Sequence, residues 1–177
     1  MFTRVTETQE MSNETSKTVG ETPEKSAEIQ PIVGRFDHRL DPKRRFTIPS
    51  DWFERMGHPA QVYVMPSLSR EKCLDVFTPA EFDKRLAAFR SAALSDAVKA
   101  KFVSRIGELV SCCSLDVQNR IRVKDSNLDY VGIHGDVVLI GAGYHFEVWS
   151  LENRPKTDGQ EADLLASLVS EAQSFGF

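Results

Sequence analysis

At 177 residues the chain has room for one ordinary domain or two small ones, and a hydrophobic fraction of 41% allows a real core. No apolar run reaches the length of a membrane span, Met1–Glu7 lacks the apolar region of a signal peptide, and a cytoplasmic protein is expected. Three cysteines, two of them adjacent (Cys112, Cys113), make a poor disulfide framework and lack zinc-site spacing, and the net charge of −4 argues mildly against nucleic acid.

Residues 1–30 are rich in Thr, Glu, Ser and Lys and carry three basic against six acidic side chains. Such a segment cannot bury enough apolar surface to offset its ordering entropy, so it reads as a disordered acidic tail. Residues 31–78 form the first folded unit: strands over Val33–Leu40 and Arg45–Ile48 around an Asp41–Arg44 turn, then a short helix, Asp51–Met56, that Ser50 caps and Gly57 closes. A second strand pair follows, Gln61–Met65 and Cys73–Phe77. Residues 79–107 are a helical connector that starts at Thr78-Pro79. Its apolar stripe runs through Phe82, Leu86, Phe89 and Ala93, restarts at Ser95-Asp96, and continues through Val98, Phe102, Ile106 and Leu109. Residues 108–151 repeat the first unit, with strands at Leu109–Leu115, Arg120–Val123, Val137–Ile140 and His145–Trp149 and a helical turn at Ser126–Val131. Residues 152–177 hold an acidic tail with an amphipathic helix near Gln160–Gln173, bearing Leu164, Leu165, Leu168 and Val169. The helical stripes are read as core or subunit contacts.

The repetition is explicit. Leu40-Asp41-Pro42-Lys43-Arg44-Arg45-Phe46-Thr47-Ile48 returns 75 residues later as Leu115-Asp116-Val117-Gln118-Asn119-Arg120-Ile121-Arg122-Val123. Gly57 and Gly132, Val62 and Val137, and Val64 and Leu139 keep that offset. Two copies of one β-rich unit are implied, each presenting an Asp-x-x-x-Arg turn.

An Asp that opens a tight turn accepts backbone N–H groups and can hold an Arg across it. Such a pair contributes only about 0–1 kcal/mol when exposed, so a purely structural role suffices for one copy. Two copies suggest instead a surface that tracks a repeated polyanion, with the Arg fork suited to phosphate oxygens and guanine edges. With both tails acidic, residues 31–150 carry a net +2, and Arg35, Arg39, Lys43, Arg44 and Arg45 crowd the approach to the first turn. Arg45 is the foremost candidate for DNA contact, with Lys43, Arg44, Arg120, Arg39 and Arg35 beside it; Asp41 and Asp116 orient the turns.

These residues carry a family resemblance. The first motif with its Phe46-x-Ile48-Pro49 sequel, the second Asp-x-x-x-Arg, and Val137–Gly141 followed by Phe146–Trp149 resemble the MraZ family over roughly residues 33–155. The resemblance implies an α+β, β-rich fold of two AbrB-like (SpoVT-AbrB) swapped-hairpin repeats and assembly into a closed ring. It further implies a nucleoid-associated regulator of transcription that binds direct repeats upstream of the division and cell-wall gene cluster, usually as a repressor. Two departures stand out: Arg44 and Asn119 replace the family's usual Gly, and Gln118 replaces the lysine of the first turn.

No Gly-rich phosphate loop, Gly-x-Ser-x-Gly or carboxylate pair in a recognisable cleft points to an enzyme. His38, His58, His134 and His145 have no metal-site spacing, and neither a cofactor, a metal nor a small-molecule substrate is expected. The competing reading is a ring-forming interaction scaffold with weak or nonspecific DNA binding.

Overall fold

The computed structural model describes residues 30–69, 71–93, 97–154 and 161–176. The expected acidic tail, all but Gln30, and the Ser95-Asp96 helix restart lie outside the described residues. In chain order the elements are β1 (Arg35–Arg39), β2 (Arg45–Thr47), α1 (Ser50–Arg55), β3 (Gln61–Pro66), β4 (Cys73–Phe77), α2 (Pro79–Ala93), α3 (Ala97–Leu109), β5 (Ser111–Ser114), β6 (Arg120–Arg122), α4 (Asp125–Tyr130), β7 (Asp136–Gly141), β8 (His145–Ser150) and α5 (Glu161–Ser174).

The 75-residue offset carries β1 to β5, β2 to β6 and β3 to β7, and an offset shortened to 72 carries β4 to β8. Six of these strands form one antiparallel sheet in the order β1-β7-β8-β4-β3-β5, and β2 pairs with β6 in a separate two-stranded ribbon. Exchanging the repeats reverses the sheet order and leaves it otherwise unchanged, so the chain folds about an internal pseudo-two-fold axis. Even single hydrogen bonds obey it: Leu40 N–H donates to the Gly135 carbonyl at 2.9 Å, and Leu115 N–H to that of Ala60 at 3.0 Å.

The turns join strands that pair elsewhere, as the swap implied by the resemblance requires. The strands flanking each turn do not continue as a hairpin within their own repeat. Past the turn they part: β1 pairs with β7, and β2 pairs with β6 in the register Arg45↔Arg122, Phe46↔Ile121, Thr47↔Arg120. Alternation explains the ribbon's position. Phe46 and Ile121, both at most 1% exposed, point inward, and their neighbours point to solvent. The fold is thus the α+β, β-rich, swapped arrangement, and neither repeat buries its ribbon strand without the other.

The main core lies between this ribbon and the inner face of the sheet. Phe46 and Ile121 meet Val62, Val64, Leu74, Val76, Leu139, Phe146 and Val148 there. The short helices close its ends: Trp52 of α1 is fully buried, with its ring 5.1 Å from Phe36 and 5.2 Å from Phe146, and Leu128 of α4 is fully buried too. Pro49, rather than Ser50, is the N-cap residue of α1, and no side chain caps it. Gly57 does close that helix, at φ 75°, as Gly132 closes α4 at 72°. The segment before β1 is fixed by burial of Ile32 and by Trp52 Nε1–H donating to the Val33 carbonyl at 2.9 Å.

On the outer face of the sheet, Met65 and Phe77 pack beneath α2 and α3, against Ile106, Phe82 and Val110. Thr78 caps α2 as expected, its hydroxyl accepting Glu81 N–H at 3.2 Å. Phe89 and Phe102 join the two helices at 5.5 Å, yet Val98, Phe102 and Leu109 stay exposed, as do Leu165, Leu168 and Val169 of α5. Among the described residues, no helix is long and apolar enough to cross a membrane.

Candidate nucleic-acid interface

The two turns are built alike, atom for atom. Asp41 Oδ1 accepts the N–H of Lys43 at 2.8 Å and of Arg45 at 2.9 Å, and its Oδ2 accepts Arg45 Nε–H at 2.7 Å. Asp116 Oδ1 accepts the N–H of Gln118 at 2.9 Å and of Arg120 at 3.0 Å, and its Oδ2 accepts Arg120 Nε–H at 2.7 Å. Backbone bonds close both: Arg44 N–H to the Asp41 carbonyl at 2.8 Å, and Asn119 N–H to that of Asp116 at 2.9 Å. Each aspartate thus neutralises three donors and fixes the direction of one guanidinium.

The charge state follows from that geometry. The hydrogen bond from the Arg45 side chain, with those from the backbone of Arg45 and Lys43, holds the Asp41 carboxyl below its usual range. At Asp116 partial burial pushes the pKa up, but the bonds from Arg120 and Gln118 outweigh it and bring it down to about 2. Both carboxylates are ionised throughout the physiological range.

Both arginines are partly buried at the turn base, with side chains 23% (Arg45) and 29% (Arg120) exposed. The turns touch: Arg45 Nη1 lies 3.4 Å from Asp116 Oδ2, and Ile48 N–H donates to the Asn119 carbonyl at 2.9 Å. Swapping of the ribbon strands therefore brings the two motifs, 75 residues apart in sequence, side by side.

Lys43 sits exposed at the tip of the first turn, and Val117 and Gln118 at the tip of the second. Arg44 and Asn119 both adopt φ 57°, the left-handed conformation anticipated where Gly is usual. Arg44 does not project freely. Its Nη2–H donates to Asp129 Oδ1 at 2.9 Å and its Nε lies 3.3 Å from Asp125 Oδ1, so it ties the first turn to α4 of the other repeat. Arg39 is exposed, 3.5 Å from Asp136, beside a surface cleft that it shares with Asp41, Pro42, Arg44 and His134. Arg35 sits at the opposite end of β1, bonded to Asp37 at 3.0 Å and away from the turns.

One basic residue escaped the sequence reading. Arg122 stands directly opposite Arg45 across the ribbon, on the solvent face that also carries Thr47 and Arg120. Its Nη2 lies 3.2 Å from Asp125 Oδ2. The signal was present in Arg120-Ile121-Arg122, where alternation around a buried Ile places both arginines outward, but only the ribbon register gives Arg122 a partner. Like charges opposed across a strand pair cost stability. The major groove of B-DNA, roughly 12 Å wide, admits a two-stranded β-ribbon, and Arg pairs there with guanine edges.

Comparison with known proteins bears on the same region. No family model matches the chain. It is 31% identical over 122 residues to the transcriptional regulator MraZ of Micrococcus luteus, covering 69% of this chain and 82% of that one. It is 27% identical to the protein of that name from Symbiobacterium thermophilum over 82% of this chain and the whole of the relative, and 26% identical to that of Caulobacter vibrioides over 82% and 96%. A turn motif built twice, interlocked about one axis and matched along nearly the full length of these relatives, places the chain in the MraZ family.

Proposed function

We propose that this protein regulates transcription by binding double-stranded DNA through the solvent face of the β2–β6 ribbon and its two turns. The observation that carries this reading is the direct opposition of Arg45 and Arg122 across a ribbon flanked by Arg120 and Lys43. Asp41, Asp116 and Asp125 hold these guanidiniums in place in the free protein, and a basic ribbon face so arranged favours a polyanion. In this reading residues 31–78 and 108–151 are the two DNA-binding repeats, and 79–107 connects them. Arg45 and Arg120, oriented by Asp41 and Asp116, serve base edges or inner phosphates; Lys43, Arg122 and the more distant Arg39 serve the flanking backbone. Family membership and the relatives' names support the regulatory role, and the resemblance supplies its finer form: direct repeats upstream of the division and cell-wall genes, bound by a ring of subunits that represses them.

A salt series tests the electrostatic half of this proposal. Fluorescence anisotropy on a duplex from upstream of the protein's own gene should give log K falling linearly with log salt, with a slope of about −0.9 per phosphate neutralised. Lys43→Ala should reduce that slope by about one. An interaction scaffold would form its oligomer with no such salt dependence.

A further inference from the structure

The outer face of the sheet carries a polar cluster that the DNA-binding reading does not use. Cys73 and Asp75 of β4 share a face with Glu147 of β8, because Asp75 pairs directly with Glu147 and Cys73 with Trp149. Cys73 Sγ and one carboxylate oxygen each from Asp75 and Glu147 lie within 4.8 Å of one another. Cys73 is fully buried, and both carboxylates are half-buried. Two opposed carboxylates beside a buried sulfur repel one another, and sheets avoid that pairing unless a cation or proton relieves it.

Among the described residues the nearby side chains supply partial relief. Arg85, which acts on Asp75 electrostatically, donates its Nε–H to Glu81 at 3.1 Å and lies 4.8 Å from the Phe77 ring centre. Trp149 Nε1–H takes one oxygen of Glu147 at 2.8 Å. Ser67 bonds within the cluster, yet Asp75 Oδ1 is enclosed with no hydrogen-bond partner among the described residues. Glu71 adds a further negative charge. Burial, reinforced by Glu147, pushes the Asp75 carboxyl up to about 6, and burial with both carboxylates pushes the Cys73 thiol up to about 12.

We propose that Cys73, Asp75 and Glu147 form a binding site for one divalent transition metal of the zinc class. A thiolate with two carboxylates selects a borderline cation over magnesium or calcium, and water completes a tetrahedral set. Tetrahedral ligation needs S···O separations of about 3.5 Å, within reach of small side-chain rotations from the observed spacing. A cavity of about 210 Å³, lined in part by Ser67, Phe77 and Arg85, reaches Asp75 among the three ligands. Coordination releases the thiol proton to solvent. It also bolts β4 of the first repeat to β8 of the second, across the pseudo-two-fold seam.

Titration of the full chain, stripped with chelator, against cobalt(II) decides the matter. One equivalent should produce a near-ultraviolet thiolate-to-cobalt band that zinc(II) then abolishes. Cys73→Ala should lose the band, Glu147→Gln should bind cobalt at least tenfold more weakly, and Cys112→Ala should be unchanged. Far-ultraviolet circular dichroism checks that each variant folds; if Cys73→Ala does not, Glu147→Gln decides. No band in the unsubstituted chain, a band that survives Cys73→Ala or vanishes in Cys112→Ala, or undiminished binding by Glu147→Gln would overturn the assignment.

Discussion

Asp41 and Asp116 each satisfy two backbone N–H groups and the guanidinium of their own turn, with Asp116 also meeting Arg45, and that is what makes each turn rigid. An ion pair at this exposure contributes little on its own, so the aspartates act chiefly by position. Their lowered pKa fixes the sign of a pH effect. A carboxylate with a folded-state pKa below its unfolded value contributes stability above about pH 3.9, and loses it as pH falls through the folded value. Asp116→Asn should therefore lower the melting temperature at pH 7, with the gap from the unsubstituted protein closing between about pH 4 and 2, measurable by calorimetry. The two arginines differ as well. Arg45 meets both Asp41 and Asp116, whereas Arg120 meets its own Asp116. Arg45→Ala should cost more DNA affinity than Arg120→Ala in a binding titration, because the first turn also carries Lys43 and Arg44 and because Arg45 spans both turns. Equal losses would show that neither local charge nor the bridging contact ranks them. Arg44 has a cost and a compensation: the left-handed backbone costs a non-glycine residue on the order of 1 kcal/mol, and the ion pairs to Asp125 and Asp129 offset it. The conformation was legible from the family's usual Gly, but the partners were not, because they lie 81 and 85 residues further along the chain.

At the scale of elements, most strands, both short helices and the Thr78 cap were legible, since each rests on alternation, a breaker or a capping residue. Pairing partners were not. A three-residue strand such as Arg45–Thr47 states which side chain points inward and says nothing of which strand lies beside it. The resemblance implied a swap that local pattern could not, and the register then exposed Arg122. Phe46 and Ile121 are where this pairing is energetically anchored: both are buried, directly opposite each other, in the only two strands of the ribbon. Phe46→Ala should destabilise the fold by about 3–5 kcal/mol in denaturant titration and weaken DNA binding with it, since the turns lose their support. Gly141 marks a second constraint. A Cβ there would stand 2.6 Å from the Ile32 carbonyl oxygen, which is backbone and cannot step aside cheaply. Gly141→Ala should cost about 1–3 kcal/mol, an overpacking penalty, by loosening the segment that leads into β1.

For the whole molecule, pseudo-two-fold symmetry turns a short repeated motif into one continuous surface. The net charge of −4 describes the chain poorly, because its acidity lies in residues 1–30 and 151–177 while the segment between carries the basic face. The exposed apolar residues of α2, α3 and α5, Phe102, Leu109, Leu165 and Leu168 among them, remain uncovered in one subunit, which accords with the proposed assembly into a ring. The two turns are alike in geometry and unlike in tip chemistry, Lys43 against Gln118, which gives a single subunit the polarity that the proposed binding to direct repeats calls for. In the proposed function both repeats read DNA jointly through the ribbon. Anisotropy with a duplex from upstream of the protein's own gene and with a scrambled duplex, for the unsubstituted protein and for Arg122→Ala, tests it most directly. The unsubstituted protein should prefer the native duplex, and Arg122→Ala should reduce that preference by about 1–3 kcal/mol if Arg122 contacts a base, or lose affinity equally on both duplexes if it contacts phosphate. Arg122→Ala binding both duplexes as the unsubstituted protein does would contradict the proposal.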